Sequence, residues 1–508
     1  LACRPFFCSF SNWMAFRLMV TDADAIIERV RAARRVGASE DVLQALKEAV
    51  RTNSSDARLW HALGLVYRDL ADSRPAVDAL SVASRLMPSS AAIAHALARA
   101  THEAGGAAYE LFENARRLAP ADGAVLLGRA AAQMAEGRGH QAIADLQIIL
   151  HSNSSWIEGH ELLASFQWMM GERDAYGASV TAALAGLPKN HQLWQCYFDL
   201  LVKVERFQEL DQRVTEARRI AGEARVFQVY EAVSASEIGD DERASKLFDV
   251  MQPIQQIGLA VRHIRHEARY GRFDQAAAIG ERFLADQAVQ QMLPYLASVW
   301  RILGDPRCEI FDNTPQLVGI YDVGTEIDLS GLARVLRQLH VAKAEMAGQS
   351  VRGGTQTDGP LFSRTEPEIQ NLKRLVATTV RKHLRRNLAQ FSHPLFGSKP
   401  DVVRFAGSWS VRLQGAGHHT PHIHPEGYLS SAFYVTVPEP PQRGVAPSGW
   451  LALGAPPPEL NFGLSPQCYV EPKPGRLVLF PSIMWHGTEP FAAGERMTVA
   501  FDIAPART

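Results

Sequence analysis

Pro421-His422-Ile423-His424-Pro425 and, later, Trp485-His486-Gly487-Thr488 are the stretches on which the fold of this chain turns. Strand side chains alternate with a period of two, so His422 and His424 on one strand share a face and can grip one metal ion. A third histidine, His486, follows the run Gly475-Arg476-Leu477-Val478-Leu479-Phe480-Pro481, an apolar strand opened by a Pro-Gly turn and closed by a proline. Ten residues beyond His486, Arg496 alternates with Thr498 on a further strand, Arg496-Met497-Thr498-Val499-Ala500-Phe501. The order is a metal site followed by an anion site. His418 and His419 fall in the Gly415-Ala416-Gly417 loop and read as polar loop residues, with lining the mouth of a site as the other role. Phe433 and Tyr434 belong to another apolar strand, with packing as the plain role and, for Tyr434, a hydroxyl reaching a bound ligand as the other.

These residues resemble the Fe(II)- and 2-oxoglutarate-dependent oxygenases, whose fold is a double-stranded β-helix, the jelly-roll or cupin-like barrel. That family carries His-x-Asp/Glu, a distal His, an Arg about ten residues on, and a Ser or Thr two further. His422, His486, Arg496 and Thr498 fall on the pattern. More narrowly, Ser408 to Leu413, His422 to Pro425, Leu429 to Val435 and Leu479 to Thr488 look like an uncharacterised bacterial branch of it. The resemblance covers the last third of the chain. It implies Fe(II) on His422, His424 and His486, 2-oxoglutarate paired to Arg496 and hydrogen-bonded by Thr498 with Tyr434 in reach, and O2 as oxidant. One position departs from the pattern: His424 stands where the family has a carboxylate. Two His and a carboxylate leave Fe(II) with a formal charge of about +1, and three His leave about +2. His424-Pro425-Glu426 is itself His-x-Glu, so Glu426 competes with His424 for the third ligand position. A three-His cupin-type metalloenzyme that uses no 2-oxoglutarate, and a repeat scaffold with an inactive barrel, are the rival readings.

The chain has 508 residues, too many for one ordinary domain, and 46% hydrophobic residues, as globular proteins have. A formal charge of −1 supplies no field that would draw it onto nucleic acid or an anionic membrane. Lys373, Arg374, Arg381, Lys382, Arg385 and Arg386 read as the solvated face of a helix. Five scattered cysteines, Cys3, Cys8, Cys196, Cys308 and Cys468, without a Cys-x-x-Cys pair, read as thiols of a reducing cytoplasm. No window approaches the roughly 18 apolar residues of a spanning helix. Leu1 to Leu18 is aromatic-rich, lacks a clean cleavage site and is set aside, with Met14 or Met19 as candidate starts.

From Thr21 to Gly304 the composition is that of helical hairpins. Trp60-x-x-Leu63-Gly64-x-x-Tyr67, then Ala76, Leu80, Ala83 and Pro88, resembles the tetratricopeptide repeat, in which small residues let two helices approach while large ones fill the space around them. Pro88, Pro120, Ser154 and Pro188 close successive units at separations of 32, 34 and 34 residues. Seven or eight hairpins over residues 21–305 form a solenoid, whose concave face suits a protein or peptide partner.

Pro306, Asn313, Pro315, Val318 and Ile320 break the helical period, placing a linker at 306–325 and the oxygenase-like domain at 326–508. Leu329 to Met346 and Glu366 to Leu388 read as helices flanking the barrel, and Gly353 to Pro360 as a loop near its mouth. The expected fold class is thus multidomain α + β: an α-helical repeat solenoid, then a double-stranded β-helix. The expected activity is a dioxygenase hydroxylating a protein or peptide side chain held by the repeats.

Overall fold

The computed structural model describes residues 23–286, 288–309, 317–386 and 402–506. The start Leu1 to Leu18 with Cys3 and Cys8, the linker residues Asn313 and Pro315, and the end of the second flanking helix at 387–388 lie outside them. The chain divides into two compact units, Leu1–Arg138 with Phe362–Gln370 and Gly139–Leu361 with Asn371–Thr508. The composition change at 306–325 falls inside the second.

In the first unit the helices Ala23–Arg35, Ser39–Thr52, Ala57–Asp69, Ser73–Leu86, Ala91–Glu103, Tyr109–Leu118 and Gly123–Ala135 follow one another as antiparallel hairpins. The Trp60 hairpin shows what holds them. A Cβ on Gly64 would lie 2.4 Å from Leu80 Cγ and 3.2 Å from the Ala76 carbonyl, so the two helices touch through a position only glycine can fill. Asp56, Ser90 and Asp122 cap helix starts by accepting first-turn amides, each cap contributing about 1 kcal/mol. Phe362–Gln370 joins this unit through the Thr365 amide, which donates to the Ala104 carbonyl at 3.1 Å.

The second unit opens with the same pattern, from Gly139–Ser152 through Ile257–Arg269 and Phe273–Glu281 to a last helix, Leu293–Leu303. Along both units a left-handed residue ends the first helix of each pair, at Gly37, Ala71, Gly105, Gly137, Gly171, Glu205, Gly239, Gly271 and Gly304. The repeat is therefore visible in the backbone every 32 to 34 residues, including two turns where no glycine marks it.

Among the described residues nine strands follow: β1 Gly319–Asp322, β2 Val351–Gln356, β3 Phe405–His419, β4 Leu429–Thr436, β5 Leu451–Leu453, β6 Cys468–Val470, β7 Arg476–Pro481, β8 His486–Thr488 and β9 Glu495–Ile503. They form a six-stranded sheet, β1-β7-β4-β9-β3-β2, and a three-stranded one, β6-β5-β8, with every pairing antiparallel. An isolated bridge between His422 and His486 adds one more rung beside β8. The architecture is thus an all-helical tetratricopeptide-like region followed by an antiparallel β domain of the double-stranded β-helix kind.

Four local expectations are corrected. Val351–Gln356 is the edge strand β2 rather than a loop: a Cβ on Gly354 would sit 2.5 Å from the Arg412 carbonyl, so the glycines permit a close strand approach instead of marking a turn. The helix expected to reach Met346 ends at Leu339, because the His340 ring leaves the helix to bridge Thr355 Oγ1 at 2.8 Å and Ser410 Oγ at 3.1 Å. His418 and His419 belong to β3, which runs through the Gly415-Ala416-Gly417 segment. His422 makes only the single bridge and His424 lies in irregular chain, so the two do not share a regular strand.

The back of the ligand-bearing chain packs on the last repeats. Trp485, Leu460 and Phe462 bury in one apolar cluster with Leu296, Val299 and Trp300, and Ile423 rests against it. The Trp485 indole N–H donates to the Pro294 carbonyl at 3.1 Å and to Ser298 Oγ at 3.2 Å, and Tyr295 meets its ring edge-on at 5.1 Å.

Candidate functional site

The register of the larger sheet builds the site. Trp409 pairs with Ala500, Val411 with Thr498 and Leu413 with Arg496. Tyr434 pairs with Thr498 and Ser430 with Asp502. Alternation therefore turns Arg496, Thr498, Ala500 and Asp502 to the same face as Tyr434 and Trp409. That face, together with β8, forms a cavity lined by His419, His422, His424, His486, Arg496 and Thr498 among others.

His422, His424 and His486 each offer a ring nitrogen, and the three atoms lie within 4.8 Å of one another. Among the described residues no carboxylate joins them, and Glu426 is exposed at the bend beyond. Their outer nitrogens are all engaged. His422 Nδ1 is 2.8 Å from the Thr420 carbonyl, His486 Nδ1 2.9 Å from the Met484 carbonyl, and His424 Nδ1 2.9 Å from Asp502 Oδ1. Carbonyl and carboxylate oxygens only accept, so each Nδ1 carries the proton and each Nε2 keeps its lone pair. Burial, then the neighbouring rings, hold His422 down to about 3 and His486 well below the usual histidine range, which keeps both neutral. Neutral rings with oriented lone pairs fit a divalent transition metal, and the donor set suits iron, zinc or copper alike. The backbone amide of each of His422 and His486 donates to the other's carbonyl at 3.0 Å, which fixes the spacing of these two.

Arg496 is 3% exposed. Its Nη1 donates to Thr488 Oγ1 at 3.1 Å and its Nη2 to the Tyr434 hydroxyl at 3.5 Å, with the Tyr434 ring 5.1 Å away. Its Nε has no partner, and among the described residues no carboxylate lies within ion-pair distance of it. A buried guanidinium left without an anion is costly, and a ligand carboxylate answers that need.

Sequence reasoning therefore singled out His422, His424, His486, Arg496, Thr498 and Tyr434, and all six face this cavity or touch Arg496. It missed Ser350, whose hydroxyl lies 3.2 Å from both His419 Nδ1 and His422 Nε2 and which arrives on the segment before β2. His419, expected as a polar loop residue or at the mouth of a site, lines the cavity, where burial and the rings of its neighbours hold it well below the usual histidine range. Sequence reasoning also missed Asp502, although the Arg496-x-Thr498 alternation, extended by two further steps, lands on it. His418 takes no part; its ring meets the Ala416 carbonyl at 3.3 Å.

Residues 407–502 match the family model described as "Putative 2OG-Fe(II) oxygenase". Among solved structures, the chain is similar to a tetratricopeptide repeat protein from Parabacteroides merdae, at 16% identity over 46% of this chain and 95% of that one, with a TM-score of 0.30. It is similar to YrrB, titled a TPR protein with an unusual peptide-binding site, at 16% identity over 36% of this chain and 95% of that one, with a TM-score of 0.25. It is also similar to yeast Tom70, at 14% identity over 55% of this chain and 63% of that one, with a TM-score of 0.35. No curated protein matches the sequence.

Proposed function

We propose that the chain is an Fe(II)- and 2-oxoglutarate-dependent dioxygenase that hydroxylates a protein or peptide side chain recruited by the helical repeats. The observation that carries this reading is Arg496: a buried guanidinium with an unpartnered Nε, in the same cavity as three clustered histidines. His422, His424 and His486 would hold the metal through Nε2. The cation of Arg496 would pair with the far carboxylate of 2-oxoglutarate, where its planar fork matches the two oxygens, and Thr498 two positions along β9 would add a hydroxyl. When bound, Fe(II) with 2-oxoglutarate and O2 supplies oxidative decarboxylation to succinate and CO2 and the hydroxylation of a C–H bond. Trp409, Val411 and Phe480 wall the cavity and keep its dielectric low, which strengthens the pairing at Arg496. A polypeptide substrate is supported by the domain order and by the packing of Trp485 and Ile423 against the last repeats, which sets the ligand-bearing chain directly upon the repeat array.

The test is an anaerobic titration of 2-oxoglutarate into the full chain saturated with Fe(II), followed by O2-dependent succinate release. Truncating one partner of a buried charge pair costs about 3 to 5 kcal/mol, and an intact charge-assisted bond contributes about 1.5 to 3. Arg496→Ala is expected to weaken 2-oxoglutarate binding by roughly one to three powers of ten while Fe(II) stays bound. Arg496→Lys recovers only part, because an ammonium cannot reproduce the fork. Equal affinities in all three proteins would leave a three-His cupin-type metalloenzyme; no cosubstrate binding and no succinate would leave an inactive repeat scaffold.

A further inference from the structure

The three histidines are not held alike. His422 and His486 each present Nδ1–H to a neutral backbone carbonyl, whereas His424 presents it to a carboxylate, Asp502 Oδ1, at 2.9 Å. Asp502 is 9% exposed and stands in a small buried polar cluster. The Ser430 hydroxyl donates to the same Oδ1 at 2.6 Å, Ser430 and Ser482 hydroxyls are 3.0 Å apart, and Ser430 Oγ is 3.1 Å from His424 Nδ1. The His424 backbone is tied into the same place, its amide donating to the Ser482 carbonyl at 2.8 Å. Room for the cluster depends on Gly427, where a Cβ would fall 2.5 Å from Ser482 Oγ and 3.3 Å from Asp502 Cβ.

Resting on the metal-centre reading above, we infer that Asp502 is a positioning residue that supplies, one bond further out, the negative charge that a carboxylate ligand would otherwise bring. A carboxylate accepting the outer N–H of a metal-bound imidazole fixes the ring's tautomer and direction and makes the inner nitrogen a stronger donor. His424 occupies the place where the resembled family has Asp or Glu. With three neutral ligands the site would carry the full formal charge of a divalent ion, and Asp502, in contact with one of those ligands, lowers it by one without taking up a coordination position. The site then keeps both the two-His geometry shared with the family and the charge balance that geometry ordinarily has. Asp502 is also the one acidic side chain in ion-pair distance of any of the three histidines among the described residues.

Co(II) alone is the probe, titrated into the full chain without oxygen or cosubstrate and read by equilibrium dialysis and by its visible ligand-field bands. Outer-shell partners of this kind change metal affinity by about 10- to 100-fold. Asp502→Asn keeps an oxygen acceptor and removes the charge; it is expected to weaken Co(II) by about tenfold and to shift the bands, with Asp502→Ala weaker still. Circular dichroism and a urea midpoint of the metal-free variants separate lost folding from lost affinity. In a His424→Ala background Asp502→Asn is expected to change affinity less than about twofold, since a group acting through His424 has nothing left to act on. Wild type and Asp502→Asn binding Co(II) equally, with the same bands, would overturn the inference and leave the metal centre standing. So would an equal loss in the His424→Ala background, which would make Asp502 a general structural residue. Wild type that binds no Co(II) would remove the metal centre itself, and this inference with it.

Discussion

His424 and Glu426 are two residues apart and chemically both able to bind iron, yet only one faces the cavity. His424 turns inward because Asp502 and Ser482 hold its ring and its backbone, while Glu426 lies exposed in the bend before β4. Replacing each in turn reads this directly. His424→Ala is expected to lose Fe(II) affinity strongly, as are His422→Ala and His486→Ala, whereas Glu426→Ala should bind Fe(II) as the wild type does, measured by elemental analysis after gel filtration. Metal loss in Glu426→Ala with retention in His424→Ala would move the third ligand to the carboxylate.

Between residue and molecule the decisive element is the last repeat helix, Leu293–Leu303. It buries Trp485, the residue immediately before His486, with two hydrogen bonds to the indole and an edge-on Tyr295. A chain cut in the 306–325 region would leave Trp485, Leu460 and Phe462 without the apolar partners they bury against. Trp485→Ala is expected to cost about 3 to 5 kcal/mol by urea denaturation, because a large buried ring leaves a cavity. Trp485→Phe keeps most of the packing and loses the indole bonds, at about 1 kcal/mol each. A Trp485→Ala protein as stable as wild type would show that the helix only lies beside the barrel. The same scale holds the repeat's strain. Ala71 and Glu205 adopt the left-handed conformation that glycine takes at the equivalent turns, at a cost of about 1 to 2 kcal/mol each.

Across the molecule, buried histidines tie stability to pH. Burial holds His266, His340 and His383 down to about 4, against about 6.5 in an unfolded chain. Between those values the unfolded chain binds the protons and the native one does not, so stability present above about pH 6.5 is lost as pH falls toward about 4. Each histidine contributes on the order of 3 kcal/mol at most across that window. Urea midpoints of the metal-free protein from pH 7.5 to 4.5 should fall steadily, and His340→Gln, which keeps a polar partner for Thr355 and Ser410 without a titrating ring, should flatten the slope. An unchanged slope in that variant would take His340 out of the account.

Periodicity and spacing made much of this protein legible without coordinates. The repeat was readable because Gly64 and Ala76 sit where two helices touch and the closing prolines recur at the exposed turns between units, and Ala71 and Glu205 escaped because the backbone there tolerates strain that composition does not record. The His-x-His, distal His and Arg-x-Thr order was readable because strand alternation converts spacing into a shared face. Strand identity at Val351–Gln356 was hidden, since its glycines answer to the neighbouring strand β3 and not to a turn. Three facts belonged to the tertiary structure alone: the approach of Asp502 to His424 across 78 residues of sequence, the arrival of Ser350 beside His422, and the seating of Trp485 on the helix Leu293–Leu303. Each joins groups that are distant in the chain, and local residue preference carries no information about which distant group will lie opposite; only the register of β9 and the packing of the two sheets and the last helices decide it.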